Sequence, residues 1–114
     1  MAKNLTATGA AAAAVTLTLP QTTTSKHRIY QLTVVMYTTA ARTGTATPVV
    51  VTSTNLSGLA LTFPSAGAVG TIERVVVDAP NGLDGDAINT ATTIVCPATT
   101  AVIWRINAVF EDAG

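Results

Sequence analysis

The side chains able to do chemistry are few, and each stands apart from a partner. His27 is the only histidine, and it sits in the run Lys26-His27-Arg28. A histidine working as general acid or base needs a carboxylate or nucleophile within hydrogen-bond reach. Its sequence neighbours are two cations instead, so the triplet reads as a basic cluster at a strand edge. Cys96 is the only cysteine, which excludes an internal disulfide and a thiolate zinc site. Its place in an apolar run just before Pro97 reads as a buried thiol rather than a nucleophile. A metal site of the kind that several histidines build is excluded by the count of one. Asp84 and Asp86, within residues 81–89, have metal-like spacing and could offer hard oxygen ligands to calcium, with Asn81 or Asn89 assisting. The downstream glutamate of an EF-hand loop is missing, and Asp, Asn and Gly are ordinary turn residues, so a solvated turn is preferred and no cofactor is expected. There is no Gly-x-Ser-x-Gly elbow and no glycine-rich phosphate loop. Such residues point away from an enzyme.

The elements that would position them are strands. The 114 residues include 22 threonines, 20 alanines and 13 valines, with 48% hydrophobic, 4% aromatic and 11% charged. Threonine and valine are β-branched and favour pleated, half-buried surfaces. Residues 14–19 alternate, with Val15, Leu17 and Leu19 inward and Thr16 and Thr18 outward. Residues 27–38 are apolar on both faces, Ile29, Val35 and Tyr37 on one and Leu32, Val34 and Met36 on the other, which predicts cover on both sides. Further strands are predicted at residues 49–54, 59–63, 69–78, 92–96 and 101–111, with a loop at 79–89. In the last strand Val102, Trp104, Ile106, Ala108 and Phe110 should be core, alternating with Arg105, Asn107 and Glu111. The five prolines are expected at strand edges. The fold expected is all-β, an antiparallel β-sandwich, jelly-roll-like, with seven to eight strands. It forms a single domain over residues 1–114, with residues 1–13 as an N-terminal arm.

Charge carries the functional signal. Ordinary soluble domains hold about 25% charged residues; this chain has six basic and six acidic side chains and no net charge. A balanced charge excludes nucleic acid as a partner. No apolar stretch approaches the ~20 residues needed to cross a bilayer, which excludes a membrane-spanning helix. Residues 1–20 resemble a secretory leader only superficially, because threonines interrupt the weakly apolar alanine run and no cleavage signal follows. Thr-x-Thr recurs at Thr6/Thr8, Thr16/Thr18, Thr43/Thr45/Thr47 and Thr52/Thr54, which reads as outward-facing threonine on sheets. A lone β domain must guard its edges with charge, proline or bulges. One so poorly charged is expected to hide its surface in a permanent assembly.

The run Thr92-Thr93-Ile94-Val95-Cys96-Pro97-Ala98-Thr99-Thr100-Ala101-Val102-Ile103-Trp104-Arg105-Ile106-Asn107-Ala108 resembles the C-terminal end of small tailed-bacteriophage and prophage proteins. So do Val15-Thr16-Leu17-Thr18-Leu19-Pro20 and Thr47-Pro48-Val49-Val50-Val51-Thr52-Ser53-Thr54-Asn55-Leu56. That group consists of virion structural components, and the closest kind is the head decoration (cement) protein. The resemblance implies a subunit made in the host cytoplasm that oligomerises, often as a homotrimer, and clamps the major capsid protein on the outer surface of the phage head. By position, Lys3, Asn4 and Leu5 of the arm would reach along a capsid subunit or a neighbouring copy, and Lys26, His27 and Arg28 would face an acidic capsid surface. Two rivals stand beside this expectation: a neck, tail or fibre-base component, and a glycan- or cell-surface-binding module using Tyr30, the one aromatic that looks free.

Overall fold

Alternation is realised most simply in Val15–Leu19, where Val15, Leu17 and Leu19 are buried and Thr16 and Thr18 are exposed. The computed structural model describes residues 2–44 and 47–113, so Met1 of the expected arm and Thr45 of the threonine series lie outside the described residues. Eight strands follow in order: β1 Lys3–Thr8, β2 Val15–Leu19, β3 Lys26–Thr38, β4 Val49–Thr54, β5 Leu61–Phe63, β6 Ile72–Asp84, β7 Thr92–Cys96 and β8 Val102–Ala113. No helix occurs among the described residues.

The strands form two four-stranded sheets, β1-β8-β3-β6 and β2-β7-β4-β5. The antiparallel pairs β1:β8, β2:β7, β3:β6 and β4:β5 nest inside one another. Such nesting is what results when one long hairpin folds over a core and its strand pairs fall alternately into two layers. The protein is therefore an all-β sandwich with jelly-roll strand order, as the sequence predicts. The core fills from both layers: Leu32, Val34, Met36, Trp104, Ile106 and Ala108 from the first sheet are fully buried, facing Leu17, Leu19, Val51, Phe63 and Ile94 of the second. Each buried Leu, Ile, Val, Met or Phe side chain among them contributes about 1.5–3 kcal/mol through burial.

Four sequence expectations are corrected. Residues 3–8 are not a free arm. They form β1 against β8, from Lys3 opposite Phe110 to Thr8 opposite Arg105, with Leu5 and Ala7 packed on the core. The third strand carries a β-bulge between Ile29 and Gln31, where Tyr30 is the extra residue. One inserted residue reverses the side-chain parity, so Ile29 joins Leu32, Val34 and Met36 inside rather than Val35 and Tyr37 outside. The loop expected at 79–89 begins only after Asp84. Residues 79–82 bulge opposite Tyr30, and Leu83 then pairs with Ile29. Gly82 makes this path open: its φ is +87° and a Cβ there would lie 2.4 Å from Cγ of Arg28. Pro80 accordingly lies within β6, in the stretch that leaves the ladder. The fifth strand is shorter than expected, because Leu59 N–H turns back to Leu56 O and Ser53 Oγ donates to Leu59 O.

Candidate functional site

The sequence-predicted basic residues gather at one end of the sandwich, where the start of β3 meets the end of β8. They do not form an open patch. His27 is 1% exposed, which corrects its expected place on the surface. Its Nε2–H donates to the Pro20 carbonyl at 2.6 Å. A carbonyl only accepts, so this bond selects the tautomer in which Nδ1 accepts from the Thr92 hydroxyl, also at 2.6 Å. Buried Thr92 in turn accepts from Asn55 Nδ2 at 2.9 Å. The ring also stands edge-on to Phe110, centroids 6.0 Å apart. The result is a satisfied internal network that joins β3, β7 and two turns. Asp112, which sequence reading did not single out, brings the two predicted clusters together. It takes an ion pair from Lys3 at 2.6 Å and lies 3.8 Å from His27 Nε2. Asn4 Oδ1 accepts from Asn107 Nδ2 at 2.7 Å, and Leu5 faces the core. Lys3, Asn4, Leu5 and His27 are thus spent on the chain's own fold.

Arg28 is engaged as well, with Nε donating to Asp84 Oδ1 at 2.8 Å. Asp86 turns the other way and receives Ser57 N–H at 2.8 Å together with the Ser57 hydroxyl. The two carboxylates considered for calcium therefore serve different partners. Among the described residues no group of three or more His, Cys, Asp or Glu side chains could hold a metal ion. The Arg28 guanidinium holds the Asp84 carboxyl below its usual range, and the Ser57 hydroxyl and N–H do the same for Asp86. Both groups take up protons more readily in the unfolded chain, so their contribution to stability is complete above the unfolded value of about 4 and is lost as pH falls through the lower folded values. Urea denaturation should show a midpoint that is flat at neutral pH and declines in acid. The pair of substitutions Asp84→Asn and Asp86→Asn should blunt that acid decline; an unchanged decline would contradict it.

Cys96 is fully buried on β7, and burial pushes its thiol up to about 12. A thiolate is the reactive species, so the native thiol should resist iodoacetamide at mildly alkaline pH and react once urea unfolds the chain. Rapid labelling of the native protein, followed by mass, would overturn this. Tyr30, the aromatic considered for glycan contact, has its hydroxyl tied to Glu111, and that hydrogen bond raises its pKa.

What remains open is the outer face of the first sheet. Register places Ile103, Tyr37 and Ile72 in one cross-strand row, then Thr8, Arg105, Val35 and Arg74, then Thr6, Asn107, Thr33 and Val76. Tyr37 is 39% exposed, Val76 47% and Ile72 59%. The both-sided apolar character of residues 27–38 is thus real, but nothing within the described residues covers the second side. A shallow concavity of about 400 Å³ lies across the three strands, lined by Gln31, Thr33, Val35, Arg74, Val76, Arg105 and Asn107. Arg74 and Arg105 flank Val35, and neither has a hydrogen-bond or ion-pair partner among the described residues. An apolar floor between two free guanidiniums suits a surface bearing carboxylates beside aliphatic groups. The outer face of the second sheet is different in character: Thr16, Thr18, Thr52, Thr54 and Thr62 are all exposed there, with Thr54 and Thr93 hydroxyls bonded at 2.7 Å. No protein-family model and no curated protein matches the chain.

Proposed function

We propose that the chain is a non-enzymatic structural subunit of a tailed-bacteriophage particle, a head decoration protein that assembles with copies of itself on the outer surface of the shell and stabilises it. The observation that carries this reading is the uncovered outer face of the first sheet, with exposed Tyr37, Ile72 and Val76 beside unpaired Arg74 and Arg105 on a chain of zero net charge. A surface of that kind gains by being covered. Jelly-roll domains recur in viral shells and in lectins, an analogy of fold that is consistent with the reading. Major capsid protein would be the partner, and Arg105 would meet acidic side chains of the shell. The effect is mass action: a subunit that binds only the assembled lattice shifts the equilibrium towards it, and a modest gain per copy is multiplied over many copies. Contact thereby moves from Lys3, His27 and Arg28, which are engaged internally, to the sheet face.

The test is co-sedimentation of the purified chain with heads prepared without it, from the phage or prophage that encodes it. Saturable binding that raises the heat resistance of the heads is expected, as is its loss in the variant Tyr37→Asp with Arg105→Glu. Absence of binding, or binding that this variant leaves intact, would overturn the assignment. Recovery of the chain with separated tails rather than heads would overturn it in favour of a tail component.

A further inference from the structure

The sixth strand forms one edge of the first sheet, hydrogen-bonded to β3 alone. Its regular part, residues 72–78, lies opposite residues 31–37 of β3 and presents no guarding bulge or proline until Pro80. Its inner residues Val75 and Val77 are only partly buried, whereas Val34 and Leu32 beside them are fully covered. Arg74, Val76 and Asp78 point outward on the same face, all exposed. Arg74 and Asp78 have opposite charges, yet neither has a partner among the described residues. Four residues along a strand separate them by about 13 Å, too far for them to meet each other.

We propose that this edge pairs antiparallel with the same edge of a second copy, about a two-fold axis through Val76. In that register Val76 faces Val76 of the second copy, Arg74 faces Asp78 and Asp78 faces Arg74, while Val75 and Val77 face each other on the inner side. A two-fold axis between antiparallel strands passes through a residue that opposes itself. Moving it to Arg74 or Asp78 sets like charges opposite, and moving it to Val75 or Val77 sets charges against Val76 or Ile72 and Pro80. Only the Val76 axis makes both ion pairs, with side chains about 5 Å apart at Cβ. The edge is therefore self-complementary in charge and in apolar contact. It joins two first sheets into one continuous layer, with their open outer faces side by side. An isologous contact of this kind closes as a dimer, not as the three-fold ring that the sequence resemblance implies.

The pairing deepens the self-association proposed above and is tested without heads, so loss of pairing and loss of head binding are separate results. Sedimentation velocity of the purified chain over a wide concentration range should show a species of twice the 11.6 kDa chain mass. Arg74→Asp and Asp78→Arg should each be monomeric, because each sets like charges across the axis. Mixing the two variants should restore the dimer, since every Asp then faces an Arg. Near-ultraviolet circular dichroism from Trp104 checks that both variants keep the native core. A wild type that stays monomeric, a trimer, or a dimer indifferent to the single charge reversals would each overturn the proposal.

Discussion

Replacing Trp104 with alanine is expected to cost about 3–5 kcal/mol of folding free energy. The indole is fully buried on β8 and meets the ring of Phe63, on the second sheet, edge-on with centroids 5.1 Å apart. Its Nε1–H donates to the Pro97 carbonyl at 2.9 Å. The substitution therefore opens a cavity between the layers, removes an aromatic pair worth about 0.5–1.5 kcal/mol beyond its area, and strands a carbonyl acceptor. Trp104→Phe should lose less, since it retains most of the volume and forfeits chiefly the hydrogen bond. Trp104 is the only tryptophan, so urea denaturation of the alanine variant must be followed by far-ultraviolet circular dichroism. A loss below about 1 kcal/mol would mean that the two sheets do not close over this residue.

Replacing His27 with leucine is expected to cost about 2–4 kcal/mol, although leucine suits the surrounding core better by hydropathy. The loss comes from the partners left behind. Pro20 O loses the Nε2–H at 2.6 Å, and the Thr92 hydroxyl loses its acceptor in a site where both residues are buried. Thr92→Val removes the other half of the pair at similar shape. Because removing one member strands the other, the double variant should be less destabilised than the sum of the two singles, a coupling that a double-mutant cycle in urea measures. Additive losses would show that the ring and the hydroxyl do not share a bond. His27 thus holds together the end of the sandwich rather than presenting a charge to a partner.

How much of this was legible depends on how each strand meets the core. The second, seventh and eighth strands bury one face completely, so burial writes a period of two into Val15–Leu19, Thr92–Cys96 and Val102–Phe110. Cys96 and Trp104 were readable as core for the same reason. The first strand was not readable because Leu5 and Ala7 are its only inward residues with apolar weight, and its place is set by β8, far off in sequence. Residues 79–84 carry the Asp, Asn, Gly and Pro of a turn, yet they spend them on a bulge inside a strand. That bulge lies opposite Tyr30, and a single inserted residue hides the true face of Ile29 from any count of alternation. His27 left a signal that the flanking cations masked: it stands two residues before Ile29, on the same buried face. The candidate surface was half visible. The apolar outer residues of β3 announced a second contact, but the row that joins Tyr37 to Ile72, and Arg105 to Arg74, depends on a strand order that periodicity does not encode.

Cryo-electron microscopy of heads saturated with the chain bears most directly on whether its open sheet face exists to be covered. Density for the sandwich on the outside of the shell, with Tyr37, Ile72 and Arg105 against protein in every copy, is the expected result. Heads without that density, or copies that turn this face to solvent, would contradict it.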